Sequence, residues 1–152
     1  MWIRVQGRGS FQNSTGLKDV SAELIKRGHR EFIVDLKDCE LMDSTFMGTL
    51  AGLAFKLAPD GNLRVIRANE RCRSVLQNLG LDRVFRVEES ATPVPPGTAL
   101  REATGHPPRE AQRETIIEAH ENLVAANPEN AIRFKDVLDF LKHEDPEDQA
   151  RP

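Results

Sequence analysis

Two hydrophobic periods alternate along the first part of the chain. Trp2-Ile3-Arg4-Val5 repeats every second residue, as a short strand does, and ends at Gly7-Arg8-Gly9. Ser10-Phe11 is expected to continue as a second, very short strand. Ser14 or Thr15 can cap a helix running to about Arg27, with Leu17, Val20, Leu24 and Ile25 on one side and Gly28 as its stop. Phe32-Ile33-Val34-Asp35-Leu36 is a nearly continuous apolar run, which predicts a strand buried on both faces. A helix opens near Asp43 or Ser44, and Met47, Leu50, Ala51, Ala54, Leu57 and Ala58 form its core stripe. Pro59-Asp60-Gly61-Asn62 breaks that helix. Leu63-Arg64-Val65-Ile66 is the next strand, and Asn69 caps a helix with Cys72, Val75, Leu76 and Leu79 on one face. Gly80 ends it, and Val84 to Val87 is the last strand. Strands and helices alternating at such short spacing predict an α/β domain over 1–89 whose sheet is mixed but mostly parallel.

The pattern then changes. Residues 90–108 hold Pro93, Pro95, Pro96, Pro107 and Pro108 with Gly97 and Gly105, the composition of a linker. Two helical segments follow, about 109–126 and 130–142, split by Asn127-Pro128-Glu129-Asn130. Ile116, Ile117, His120, Leu123 and Val124 mark the first, and Phe134, Val137, Leu138 and Leu141 the second, so 109–143 reads as a helical hairpin. Residues 144–152 form an acidic tail. An isolated pair of such helices is marginal in water, so the hairpin is expected to dock on its own domain and leave an outer face for a partner.

Charge sharpens this division. The whole chain carries 21 Lys+Arg and 24 Asp+Glu, a net charge of -3. Residues 1–104 hold 15 basic and 13 acidic groups, net +2, and residues 105–152 hold 6 and 11, net -5. The acidic hairpin and the basic domain therefore attract one another weakly. The overall acidity argues against a basic nucleic-acid face. No apolar run approaches the ~18 residues of a membrane span, and Met1 is followed by strand residues without a leader pattern. A cytoplasmic protein is expected. Cys39 and Cys72 are too few for a disulfide scaffold or a thiolate zinc site and are expected as reduced thiols. No residue cluster suggests a metal or cofactor.

The chemistry concentrates after the buried strand, in Leu41-Met42-Asp43-Ser44-Thr45-Phe46-Met47-Gly48. Asp43 is placed to cap the helix, which leaves Ser44 in its first turn, exposed, beside free N–H groups and the positive end of the macrodipole. A phosphate there would be tolerated and would add about -1.5 to -2 charges to the surrounding surface. Thr45 is a secondary acceptor. Thr45, Gly48 and Gly52 make a strip of small residues that another backbone can approach, either a helix of the same domain or a docking protein.

These residues carry a resemblance. A buried strand, a short loop and Asp43-Ser44-Thr45 with Gly48 opening a helix resemble the pattern of STAS domains, the family named for sulfate transporters and anti-sigma-factor antagonists. Asn78-Leu79-Gly80-Leu81-Asp82-Arg83-Val84-Phe85 resembles the family's closing segment, and the likeness covers about residues 2–88. The resemblance implies that Ser44 is phosphorylated by a partner serine kinase that is itself an anti-sigma factor, that the unphosphorylated form binds this kinase, and that a phosphatase reverses the step. Partner contacts are then expected at Asp43, Ser44, Thr45, Phe46, Gly48 and Gly52. The glycine of the family pattern two residues after Ser44 is here Phe46, which puts a bulky ring near the hydroxyl.

Other classes fit less well. Ser44 lacks the Gly-x-Ser-x-Gly elbow of hydrolases, and His29, His106, His120 and His143 are tied to it by no motif. Val5-Gln6-Gly7 lacks the acidic pair of a phospho-aspartate receiver, and no phosphate-cradling loop appears. The expectation is a binding module and not an enzyme, with a constitutive scaffold docking through its C-terminal helices as the alternative.

Overall fold

A computed structural model describes residues 1–88 and 108–143. The elements run β1 (Trp2–Arg4), β2 (Gly7–Gly9), α1 (Phe11–Lys26), β3 (Glu31–Asp35), β4 (Cys39–Met42), α2 (Ser44–Leu57), β5 (Asn62–Ile66), α3 (Glu70–Asn78), a 3-10 turn (Leu81–Arg83), β6 (Arg86–Glu88), α4 (Arg109–Ala126) and α5 (Asn130–His143). The linker expected at 90–108 (but for Pro108) and the tail at 144–152 lie outside the described residues.

The strands form a four-stranded sheet in the order β1-β3-β5-β6 and a two-stranded sheet pairing β2 with β4, and every described pairing is parallel. The expected α/β architecture with a mostly parallel sheet is therefore what forms. Strands taken in chain order with right-handed crossovers place their helices on a single face. The register agrees. Ile3, Val34, Val65 and Val87 form one row across the sheet, and Phe32 and Leu63 extend that face. Phe32, Val34, Leu63 and Val65 are buried there in the core cluster shared with Leu50, Leu53 and Leu57 of α2.

The opposite face carries a different population. Trp2, Ile33, Arg64 and Arg86 make one row, and Arg4, Asp35, Ile66 and Glu88 the next. Ile33 is only half-buried, so β3 is not sealed equally on both faces as its apolar run suggested. Ion pairs cover this side. Arg67 binds both oxygens of the buried Asp35, with Nε 3.1 Å from Oδ1, and Arg4 Nε lies 3.8 Å from the same carboxylate. Arg64 Nε donates to Glu88 at 3.1 Å across the β5–β6 pair.

Burial alone would push the Asp35 carboxyl up, but the Arg67 guanidinium, the Lys37 N–H and Arg4 outweigh it and hold it below the usual range. The Arg64 hydrogen bond likewise lowers Glu88. Both folded-state values lie below their unfolded ones, so the stabilisation is complete above the unfolded carboxylate range near ~4 and is lost as pH falls through the folded values. The urea midpoint should therefore drop on acidification below about pH 4. In Asp35→Asn the difference between the pH 6 and pH 3 midpoints should shrink, and an unchanged difference would clear Asp35 of this role.

The local departures have identifiable causes. The short second strand is Gly7–Gly9, not Ser10-Phe11, because Ser10 is the cap of α1. Ser10 Oγ accepts from the Gln12 N–H, and Asn13 Oδ1 accepts from the Ser10 N–H. The cap of α1 thus lies four residues before Ser14, the earlier of the two residues expected to cap it. Its inward face is also more polar than its apolar spacing indicated. Ser14, Thr15 and Ser21 are buried beside Leu17, while Val20 is exposed. The buried serine hydroxyls are satisfied within the helix, Ser14 by the Ser10 carbonyl and Ser21 by the Lys18 carbonyl. Strand β4 was not anticipated. Among the described residues it pairs only with β2, and Asn69, the α3 cap, holds it by donating to the Cys39 and Glu40 carbonyls. The last strand is Arg86–Glu88, because Leu81–Arg83 turns as a 3-10 helix after Gly80.

Cys39 and Cys72 are free, buried thiols. Burial pushes both up, Cys72 to about 11, which leaves them protonated and poor nucleophiles.

Candidate functional site

The site is built where two helix N-termini meet. Asp43 follows β4 and is tied to β2 by its N–H, which donates to the Gly9 carbonyl at 2.8 Å. Its carboxylate serves both helices. Oδ1 accepts from the Phe46 N–H of α2 at 2.8 Å, and Oδ2 from the Phe11 N–H of α1 at 2.8 Å. An N-terminal orphan donor of each helix is thus satisfied by one side chain, next to two positive dipole ends. Capping residues replaced by alanine typically cost about 1 kcal/mol, up to ~2. With two helices affected, Asp43→Ala should cost about 2 kcal/mol, measured as a shift in the denaturant midpoint. A loss of only about 1 kcal/mol, that of an ordinary single cap, would show that the Phe11 bond contributes nothing.

Ser44 is the first residue of α2. Because Asp43 takes the capping role, the Ser44 hydroxyl is not needed by its own helix. It was expected to be exposed, but it is half-buried and hydrogen-bonded to His120 of α4, Oγ to Nε2 at 2.9 Å. His120 is 3% exposed. Its Nδ1 lies 2.7 Å from the Ile116 carbonyl, and its ring meets Phe134 of α5 edge-on at 5.0 Å. No motif links residues 44 and 120. The contact arises from the fold-back of the hairpin, and only the apolar stripe around His120 hinted at it.

The other expected site residues divide by face. Thr45 is buried. Phe46 is 2% exposed and packs on Gly9, where a Cβ would lie 2.6 Å from its ring. The ring therefore fills the core under β2 and does not crowd the Ser44 hydroxyl, as its sequence position had suggested. The small-residue strip has an occupant from the same chain. The Ala119 carbonyl sits so close to Gly48 that a Cβ there would be 2.1 Å from it. Asn122 covers Gly52 and donates to the Gly48 carbonyl at 3.3 Å. Backbone contact of this kind requires the missing side chain. Helix α2 is therefore buried nearly all round, by the sheet on its Leu50–Leu57 side and by α4 on its glycine side.

Helix α4 also rests on α1. Thr15 Oγ1 donates to Thr115 Oγ1 at 3.0 Å, and Lys18 pairs with Glu118 at 2.6 Å. Glu118 meeting Lys18 is where the opposite net charges of the two parts come into contact. Asn130 anchors the hairpin turn, donating to the carbonyls of Leu79 at 3.0 Å and Leu123 at 2.8 Å. The hairpin thus docks on its own domain. Leu123 is fully buried and Phe134 packs against the core, whereas Val137, expected in the buried stripe, is exposed together with Ile132 and Phe140. Among the described residues no group of His, Cys, Asp and Glu side chains could hold a metal ion. No described helix is long and apolar enough to cross a membrane.

The family model for the STAS domain matches residues 1–92. The solution NMR structure of the protein TM1081 is similar to this one, with 21% sequence identity, 59% of this chain and 73% of that chain covered, and a TM-score of 0.54. At that identity the likeness concerns the fold. No curated protein matches the sequence.

Proposed function

Since this chain belongs to the STAS domain family, we propose that it is a cytoplasmic regulatory module of the anti-sigma-factor-antagonist kind. In this reading it binds a partner protein, a serine kinase that is also an anti-sigma factor. Phosphorylation of Ser44 by that kinase ends the binding, and a phosphatase restores it. The supporting observation is the position of Ser44. It opens α2 while Asp43 does the capping, so its hydroxyl can be modified without uncapping the helix. The helix end favours added negative charge. Thr45, buried in the same turn, is the poorer acceptor.

Ser44 and His120 superficially pair as nucleophile and base. We favour binding over catalysis because the His120 ring is buried and packed edge-on against Phe134 of α5. An active-site-directed fluorophosphonate should leave Ser44 unlabelled in the folded chain.

Mass spectrometry of the protein from its own cells should find phosphate on Ser44. The bound kinase should be retained by Ser44→Ala and lost by Ser44→Asp. Equal binding by the two variants would sink the switch. It would favour the alternative of a constitutive scaffold, for which the exposed Ile132 and Phe140 of α5, 87% and 67% accessible, are the supporting observation.

A further inference from the structure

The hairpin occupies the surface that the Ser44 reading needs. The Ile116 carbonyl can only accept, so His120 Nδ1 carries a proton in that bond. In the neutral ring Nε2 then offers a lone pair, and the Ser44 hydroxyl donates to it. A phosphoryl group on Ser44 removes this donor. It sets three acceptor oxygens, with about -1.5 to -2 charges, against that lone pair. The ring is buried and packs edge-on against Phe134 of α5. Helix α4 cannot settle closer to α2 to compensate, because the Ala119 carbonyl already touches the backbone at Gly48 and Asn122 lies on Gly52.

We propose that the C-terminal hairpin is an intramolecular competitor for the Ser44–Gly48–Gly52 surface, such that docked α4 and a phosphorylated Ser44 exclude one another. The linkage is reciprocal. Docked α4 shields the hydroxyl from a kinase, and a phosphate, once present, keeps α4 from docking again. A protein that engages this surface does so against the hairpin, and its apparent affinity is lowered by the fraction of chains that are closed. The inference rests on the Ser44 reading for the occurrence of the modification, whereas the exclusion is a property of this chain alone.

The test uses the full chain with phosphoserine installed at position 44 during translation, followed by amide hydrogen exchange. Residues 115–123 of α4 should exchange on the order of tenfold faster than in the unmodified chain, with β3 and β5 unchanged as internal references. His120→Ala leaves room for the phosphate, and in that background the acceleration should shrink. Equal or greater protection of 115–123 in the phosphoserine chain would overturn the proposal, since α4 would then remain docked beside the phosphate. Should β3 and β5 lose protection as well, Ser44→Glu decides by the same two readings. Absence of phosphate from the native protein is read separately by mass spectrometry and counts against the switch, not against the exclusion.

Discussion

Replacing Arg67 by methionine should lower the urea midpoint of the chain, because it leaves the buried Asp35 carboxylate behind without its main partner. Asp35 is 0% exposed at the end of β3, and Arg67 engages both of its oxygens. Among the described residues the carboxylate without Arg67 keeps only the Lys37 N–H and the more distant Arg4. It must then stay charged without adequate compensation or take up a proton. Arg67 also sits at φ 56, in the left-handed region. A non-glycine residue pays roughly 1–2 kcal/mol there. Arg67→Gly removes the same charge but releases that cost, so it should be less harmful than Arg67→Met. Equilibrium urea unfolding of both variants settles the matter. An unchanged midpoint for Arg67→Met would mean that the pair does not hold the strand ends.

Ending the chain at Glu89 should cost about 2–4 kcal/mol and produce self-association. The truncation removes Leu123, which is fully buried, and uncovers the Thr15, Gly48 and Gly52 side of α1 and α2. Burying one leucine is worth about 1.5–3 kcal/mol, and the Asn130 bonds to Leu79 and Leu123 vanish with it. The four-stranded sheet and every fully buried member of its core cluster but Leu123 lie within the retained part, so the domain should still fold cooperatively. Thermal unfolding together with sedimentation provides the check. A truncated chain that matches the full one in midpoint and remains monomeric would show that the hairpin contributes no net stability by docking.

The sequence carried the elements whose signals are local. The stripe from Met47 to Leu57, the caps Asp43 and Asn69, and the break at Asn127-Pro128 each involve residues a few positions apart, and each appears where the spacing put it, whereas Ala58, expected in the same stripe, is the exposed C-cap of α2. Strand β4 was not legible, because four residues without alternating burial give no period to detect. The start of α1 was missed for a related reason, as Ser10 looked like the end of a strand until Asn13 closed the cap from the other side. The site was half legible. Ser44 and the glycine strip follow from local pattern, but the strip alone cannot say whether its occupant belongs to the same chain. His120 lies 76 residues from Ser44, and only tertiary packing brings them together. Phe46 shows the converse, an apparent intrusion at the site that burial turns into core.

Three helices here are pinned two by two. Asp43 joins α1 to α2, Thr15 and Lys18 join α1 to α4, and Ser44 with Gly48 joins α2 to α4. Bars connected in a triangle resist shear in a way that bars in a row do not, since no corner can turn while the other two hold. Cutting any one side converts the arrangement into a hinged chain, and the remaining pins then restrain far less. Substitutions on different sides of this triangle should therefore be less than additive even where their side chains never touch. The reach of a change at Ser44 is set by that closure, and extends to an α1 helix with which Ser44 shares no bond.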